Sequence, residues 1–228
     1  MLDDIRKCLS SCQASCLSST LDNVGESTTA LERALSATGS SARANPLDAL
    51  RAARQVWLRR QRIDMGALAE ELGVSRATLY NWVGDRERLT AEVMWSIAER
   101  TIRESRRQAS GSGPGYLSAV VAHYLTALAG FEPTRKFIER DPEFALRVLT
   151  GSRTPFQRRL IEANREMIEE QVAGAGYQPP LDPATLAYLL VRIGESFIFN
   201  NLITGEDPDL QKAIQASRVL LHAPPLPD

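Results

Sequence analysis

The sequence predicts an all-helical chain in which an amino-terminal helix-turn-helix is followed by a larger helical part. Three observations predict it. A capping residue followed by proline, the combination that starts helices, recurs at Asn45-Pro46, Asp141-Pro142, Thr154-Pro155, Asp182-Pro183 and Asp207-Pro208. Between these starts, apolar residues return at spacings of three and four. No run shows the period-two alternation bounded by turn residues that marks a strand.

Residues 1–44 read as an extension. A short amphipathic helix is possible through Leu2, Ile5, Leu9 and Cys12, and a Ser/Thr-rich run follows from Ser18 to Ser41. Such a composition buries little surface, so the segment is expected to be mobile or loosely docked. Cys8, Cys12 and Cys16 stand four apart, which is one stripe of a helix and not the spacing of a zinc site. From Asn45 a first long helix carries Leu47, Leu50, Ala53, Val56, Trp57 and Arg60 as an inner stripe, with Trp57 in the core.

Next come two short helices joined by a tight turn. Asp64 can cap the first, whose apolar positions are Met65, Leu68, Ala69 and Leu72, and Gly73 supplies the left-handed residue that ends it. Ser75 can cap the second, from Arg76 to Trp82, with Val74, Leu79 and Val83 facing inward. Two helices crossing through so short a turn make a helix-turn-helix, whose second helix enters the DNA major groove. Its outward side chains, Arg76, Thr78, Tyr80, Asn81 and Trp82, can bond base edges and phosphates or pack on sugars and thymine methyls, and no acid interrupts them. The competing reading is an ordinary helical hairpin.

The stretch LGVSRATLYNWVGDRERL resembles the TetR family of bacterial repressors, whose pattern runs A-x-x-x-G-V-S-x-x-T-L-Y-x-x-F-x-x-K-x-x-L. The resemblance implies that Ser75, Arg76, Thr78, Tyr80, Asn81 and Trp82 occupy recognition-helix positions and that Arg86 stands where a lysine usually touches a phosphate. Val83, Asn81-Trp82 and Gly84-Asp85 depart from the family's aromatic, Tyr-His and Pro-Ser, so base preference does not carry over.

After Asp85, the stripe Leu89, Val93, Met94, Ile97 and Ile102 continues one helix to about Arg107, linking reading head to body. QASGSGPG is a break. The helix from Tyr116 to Ala129 holds no charge and is expected to be buried on nearly every side, with His123 in its middle. Short helices follow near Thr134–Glu139 and Asp141–Thr150, and longer ones over Thr154–Ala173, Asp182–Ile203 and Asp207–His222.

Within the helix over Asp182–Ile203, Arg192 and Glu195 lie three apart among apolar residues. Buried charges are costly unless paired, so they are expected to meet each other, a partner subunit or a ligand. VRIGESFIFNNLITGE resembles the TetR branch that includes repressors of quorum-signal lactone degradation. In that family the last two long helices form a four-helix dimer bundle, which implies a dimer face over 182–222 involving Leu186, Leu190, Arg192, Ile193, Glu195 and Phe197. Ligand entry through the middle helices implies Trp95, Tyr116, His123, Tyr124, Phe137, Phe144 and Arg147 as candidates for a pocket.

Charge is placed unevenly. The 27 Lys and Arg against 28 Asp and Glu give a net charge of −1. From Arg43 to Arg88, however, nine arginines face six acids, a local +3. With 43% hydrophobic and 24% charged residues the chain can bury a core, and no stretch is long and apolar enough to span a bilayer, so a cytoplasmic protein without membrane contact is expected. There is no phosphate-cradling glycine motif, no G-x-S-x-G, and no His/Cys/Asp metal spacing, so neither an enzyme nor a metal or other cofactor is expected.

The expected organisation is an extension (1–44), a helix-turn-helix DNA-binding domain (45–91), a helical ligand-binding and dimerisation domain (92–222) and a tail (223–228). The function expected of it is that of a homodimeric repressor on a palindromic double-stranded DNA operator, released by a small apolar effector such as a lactone or an acyl compound. A helical small-molecule-binding or protein-interaction module that never meets DNA is the alternative.

Overall fold

A computed structural model describes residues 29–31, 44–200 and 209–223. The described residues form helices, with no strand among them. In chain order these are α1 (Pro46–Leu58), α2 (Met65–Glu71), α3 (Arg76–Val83), α4 (Arg86–Gln108), α5 (Gly113–Gly130), α6 (Glu132–Arg140), α7 (Pro142–Thr150), α8 (Phe156–Ala175), α9 (Pro183–Ile198) and α10 (Leu210–Leu220).

Local chemistry explains most of the starts. Asn45 caps α1 in a reciprocal box with Asp48, while Asp141 and Asp182 cap α7 and α9 ahead of a proline. Thr154 does not cap: its hydroxyl donates to the Val148 carbonyl at 2.7 Å, and α8 begins only at Phe156. Asp207-Pro208 lies outside the described residues, and α10 is capped by Asp209. Helix α5 begins inside the expected break, at Gly113, and its far end is open, with Thr126, Ala127 and Ala129 exposed.

Helix α1 also stops earlier than its apolar spacing predicts. Arg60 takes a left-handed backbone with φ 63°, and the amides of Arg60 and Gln61 return to the carbonyls of Trp57 and Val56. A non-glycine residue is strained there, and this one is held from outside: its carboxyl partner is Glu132 at 2.6 Å, and its carbonyl accepts from Arg140 at 2.7 Å.

Helices α1, α2 and α3 pack on one another and on the start of α4, forming a head; α4 then continues without a break into the body. There α8 packs on α9 and α10 lies across α9 and α5. One apolar core runs through head and body, from Ala49, Trp57 and Leu79 to Ile168, Leu186 and Leu221. Leu31 is buried in that core, while residues 1–28 and 32–43 of the Ser/Thr-rich extension lie outside the described residues. The three cysteines lie outside the described residues. No described helix is long and apolar enough to cross a membrane.

Candidate nucleic-acid interface and internal cavity

The head is built by caps. The Asp64 carboxylate accepts from the amides of Gly66 and Ala67 at 2.8 and 2.9 Å, and these bonds, aided by the nearby charges of Arg76 and Arg62, hold its carboxyl below the usual range. At the other end of α2, Gly73 (φ 64°) sends its amide to the Glu70 carbonyl while Val74 sends its own to Ala69, the paired bonds of a Schellman turn. Ser75 Oγ then accepts from the Thr78 amide at 3.0 Å and starts α3. Gly84, with φ 75° and ψ −132°, ends it in a backbone region that only glycine enters without strain. Asp85 caps α4 one residue later.

Leu79 and Val83 pin the inner side of α3 in the core. The opposite stripe, Arg76, Ala77, Tyr80 and Asn81, is exposed. Tyr80 is 47% exposed, its ring and hydroxyl open on the outer side of α3. The other predicted contacts are arranged differently. Ser75 is engaged as a cap and shares its hydroxyl with Thr78 Oγ1 at 2.8 Å, Trp82 is half-buried against the core, and the Arg76 guanidinium lies back over Gly66 at the start of α2. Ala77 was missed by the reading of the sequence because it carries no polar group. Its spacing of four from Asn81 is the signal that finds it, and a methyl there can meet a thymine methyl.

Arg86 does not join this face. Its guanidinium sits 3.9 Å above the Phe144 ring and 3.8 Å from Asp141, with 22% of the side chain exposed. Burial pushes its pKa down, an effect the Asp141 carboxylate opposes. It belongs to a set of contacts between head and body: Glu87 with Arg147, Arg60 with Glu132, and the Trp57 ring 6.3 Å from Phe137.

Inside the body lies an apolar cavity of about 100 Å³, walled by α4, α5, α6, α8 and α9. Of the seven pocket residues expected, only Tyr124 lines it. Trp95 is edge-on to Phe156 with its centroid at 6.4 Å, Phe137 and Phe144 pack together between cavity and head, and Arg147 is exposed beside Glu87. Tyr116 lies in a surface concavity among Arg100, Arg103, Arg106 and Arg107. His123 is half-buried outside the cavity, and its Nδ1 has no hydrogen-bond partner. The lining is mostly aliphatic, from residues such as Ile97, Ile102, Leu128, Ile138 and Leu190, with Tyr124, Phe131, Phe156 and Phe199 as its aromatic members.

Glu195 is the one carboxyl in the lining. Arg192 approaches its Oε2 at 2.6 Å and Gln157 donates to Oε1, so of the three partners expected for the charges, the two residues have chosen each other. Burial outweighs both partners and raises the Glu195 pKa to about 7; burial also raises Tyr124, with the Glu195 charge adding. The folded chain therefore keeps a proton that the unfolded chain gives up between the ordinary carboxyl value and about pH 7. Stability from this group is full below that window and is lost as pH rises through it. Urea unfolding is expected to show a fall of about 1–3 kcal/mol from pH 5 to 7.5, flattened in Glu195→Gln; an equal slope in the variant would contradict this.

The six expected dimer residues do not share a free face. Leu186 and Leu190 are buried inside the protomer, Leu190 and Glu195 line the cavity, and Phe197 packs on the cluster of Leu125, Ala213 and Ile214; Arg192, Ile193, Glu195 and Phe197 are each partly open. The exposed apolar residues of the two helices are instead Tyr188 and Val219, the latter 65% exposed.

Residues 112–222 match the family model described as "Tetracyclin repressor-like, C-terminal domain". The fold is similar to that of the R. erythropolis transcriptional repressor QsdR from the TetR family, with a TM-score of 0.73 and 28% identity over 80% of this chain and 97% of that one. It is also similar to the TetR family repressor AlkX from Dietzia sp. strain DQ12-45-1b, implicated in biodegradation of n-alkanes (TM-score 0.56, 24% identity, 80% and 96% covered). A putative transcriptional regulator from Rhodococcus sp. RHA1 is alike in fold (TM-score 0.51, 16% identity, 79% and 97% covered). No curated protein matches the sequence.

Proposed function

We propose that this chain, whose residues 112–222 match a tetracyclin repressor-like C-terminal domain and whose fold is similar to that of the repressor QsdR, is a one-component repressor of the TetR family. It binds a palindromic operator as a homodimer, sets α3 of each protomer into the major groove, and leaves the DNA when a small molecule fills the cavity. The observation that carries this reading is the exposed, acid-free stripe Arg76, Ala77, Tyr80 and Asn81, on a helix whose inner side is locked by Leu79 and Val83. The QsdR protein it resembles is a repressor, which supports the direction of control. Arg86, committed to Phe144 and Asp141, positions the head; it is not a phosphate contact in this reading.

The dimer face is drawn from the open sides of α9 and α10, where Tyr188 and Val219 are exposed. Helix α6 supplies the coupling. Thr134 and Ile138 line the cavity, while Glu132, Phe137 and Arg140 of the same helix and Asp141 just beyond it hold Arg60, Trp57 and Arg86 of the head. Exposed ion pairs of this kind contribute only about 0–1 kcal/mol each, so they can be exchanged cheaply. A ligand that prefers the cavity with α6 displaced then lowers operator affinity by its differential affinity for the two states.

Selection of duplexes from a random pool tests the reading. The expected product is an inverted repeat carrying two protomers, with half-sites about 34–36 Å apart or a multiple of that. Enrichment of a single unpaired site, or of none, would overturn it.

A further inference from the structure

We propose that the cavity selects an uncharged, chiefly apolar molecule with one hydrogen-bonding head, and discriminates against carboxylates and amines of the same length. This rests on the reading of the cavity as the effector site. Its wall is chiefly Ile, Leu, Val, Met and Phe side chains, its polar members are Thr101, Tyr124, Thr134, Asn164 and Glu195, and no lysine, arginine or histidine lines it. A carboxylate brought inside would lose its hydration with no cation to meet it, and an unpaired buried charge is expensive.

A cation fares no better. Both oxygens of Glu195 are already used, one by Arg192 at 2.6 Å and the other by the Gln157 amide. Above pH 7 the group is ionised and its charge is matched by Arg192, so it offers the cavity no unpaired charge. An ammonium group would have to displace Arg192 and give up its own water as well.

A neutral polar head has a partner waiting. Thr134, in the first turn of α6, lines the cavity and is 4% exposed; its Oγ1 has no hydrogen-bond partner and almost no accessible surface, so a head group reaches it by rotation of the side chain about χ1. A hydroxyl both donates and accepts, so it can serve an alcohol or a carbonyl, and satisfying a buried orphan group recovers a desolvation cost already incurred in folding.

Calorimetric titration of the full chain, without DNA, uses 1-decanol, decanoate and decylammonium at about pH 8, where the acid and the amine are charged. Decanol is expected to bind at least about tenfold more tightly than either ion. Thr134→Val is expected to weaken decanol at least about threefold, with Thr134→Ser restoring it. An ion binding within that tenfold margin, no binding of decanol, or a smaller loss in Thr134→Val would overturn the proposal. Decanol that binds selectively but leaves an operator complex intact would instead count against the release mechanism, and absence of DNA binding would leave this result standing.

Discussion

Asn81→Ala is expected to lose affinity for the operator while keeping its affinity for random DNA, and Tyr80→Ala to lose both alike. The two side chains are exposed neighbours on the outer stripe of α3, so neither substitution disturbs the core. An asparagine reaching a base edge reads one pair, and a bidentate contact is worth about 1–3 kcal/mol of discrimination. A tyrosine hydroxyl on a phosphate positions the helix on any sequence, at about 1 kcal/mol. Because a homodimer carries each contact twice, the operator losses become about 2–6 kcal/mol for Asn81→Ala and about 2 kcal/mol for Tyr80→Ala. Fluorescence anisotropy on operator and scrambled duplexes at one salt concentration separates them. Equal losses for both variants on every duplex would contradict this division of roles.

Leu79→Ala is expected to be the most damaging single change in the head. Leu79 is fully buried, and it joins α3 to the same core that holds Trp57 and Leu68. Truncation removes the burial energy of the γ methine and the two δ methyls and leaves a void that rigid neighbours fill only in part, a cost of about 2–5 kcal/mol. In a chain of this length that lowers Tm by roughly 4–20 °C. DNA binding falls with it, because the outward stripe is aimed only as well as its inner side is held. A Tm within about 2 °C of the parent would show that Leu79 does not pin the helix.

The head was legible in the sequence because its determinants are local. Asp64, Gly73 and Ser75 each act on amides or carbonyls within three residues, and each does in the structure what its side chain and spacing imply. Arg86 shows where local reading ends. Its place at the start of α4 fits a phosphate contact, but Phe144 and Asp141, brought beside it by tertiary packing, turn it toward the body. Arg60 is similar: its spacing continues α1, yet Glu132 and Arg140 hold it in a left-handed turn.

The cavity was the least legible part. Periodicity identifies which side chains leave a helix on its apolar face, but not whether that face meets another side chain or a void. Phe137 and Phe144 met other rings; Ile138 and Leu128, with nothing to distinguish them, met the void. The same limit applies to α9, where Leu186 and Leu190 lie on the apolar side that the protomer itself buries. Arg192 and Glu195 were conspicuous as charges in an apolar helix, and their pairing followed from the cost of leaving either alone.

The central claim is that this helical head reads DNA. It is tested most directly by anisotropy of the purified chain on the intergenic DNA upstream of its own gene, with random duplex as control, over a salt series. The account predicts tight, sequence-selective binding whose logarithm falls steeply and linearly with that of salt, as phosphate contacts release counterions. Weak retention that is indifferent to both sequence and salt would contradict it, and would identify the head as a hairpin that serves protein contacts instead.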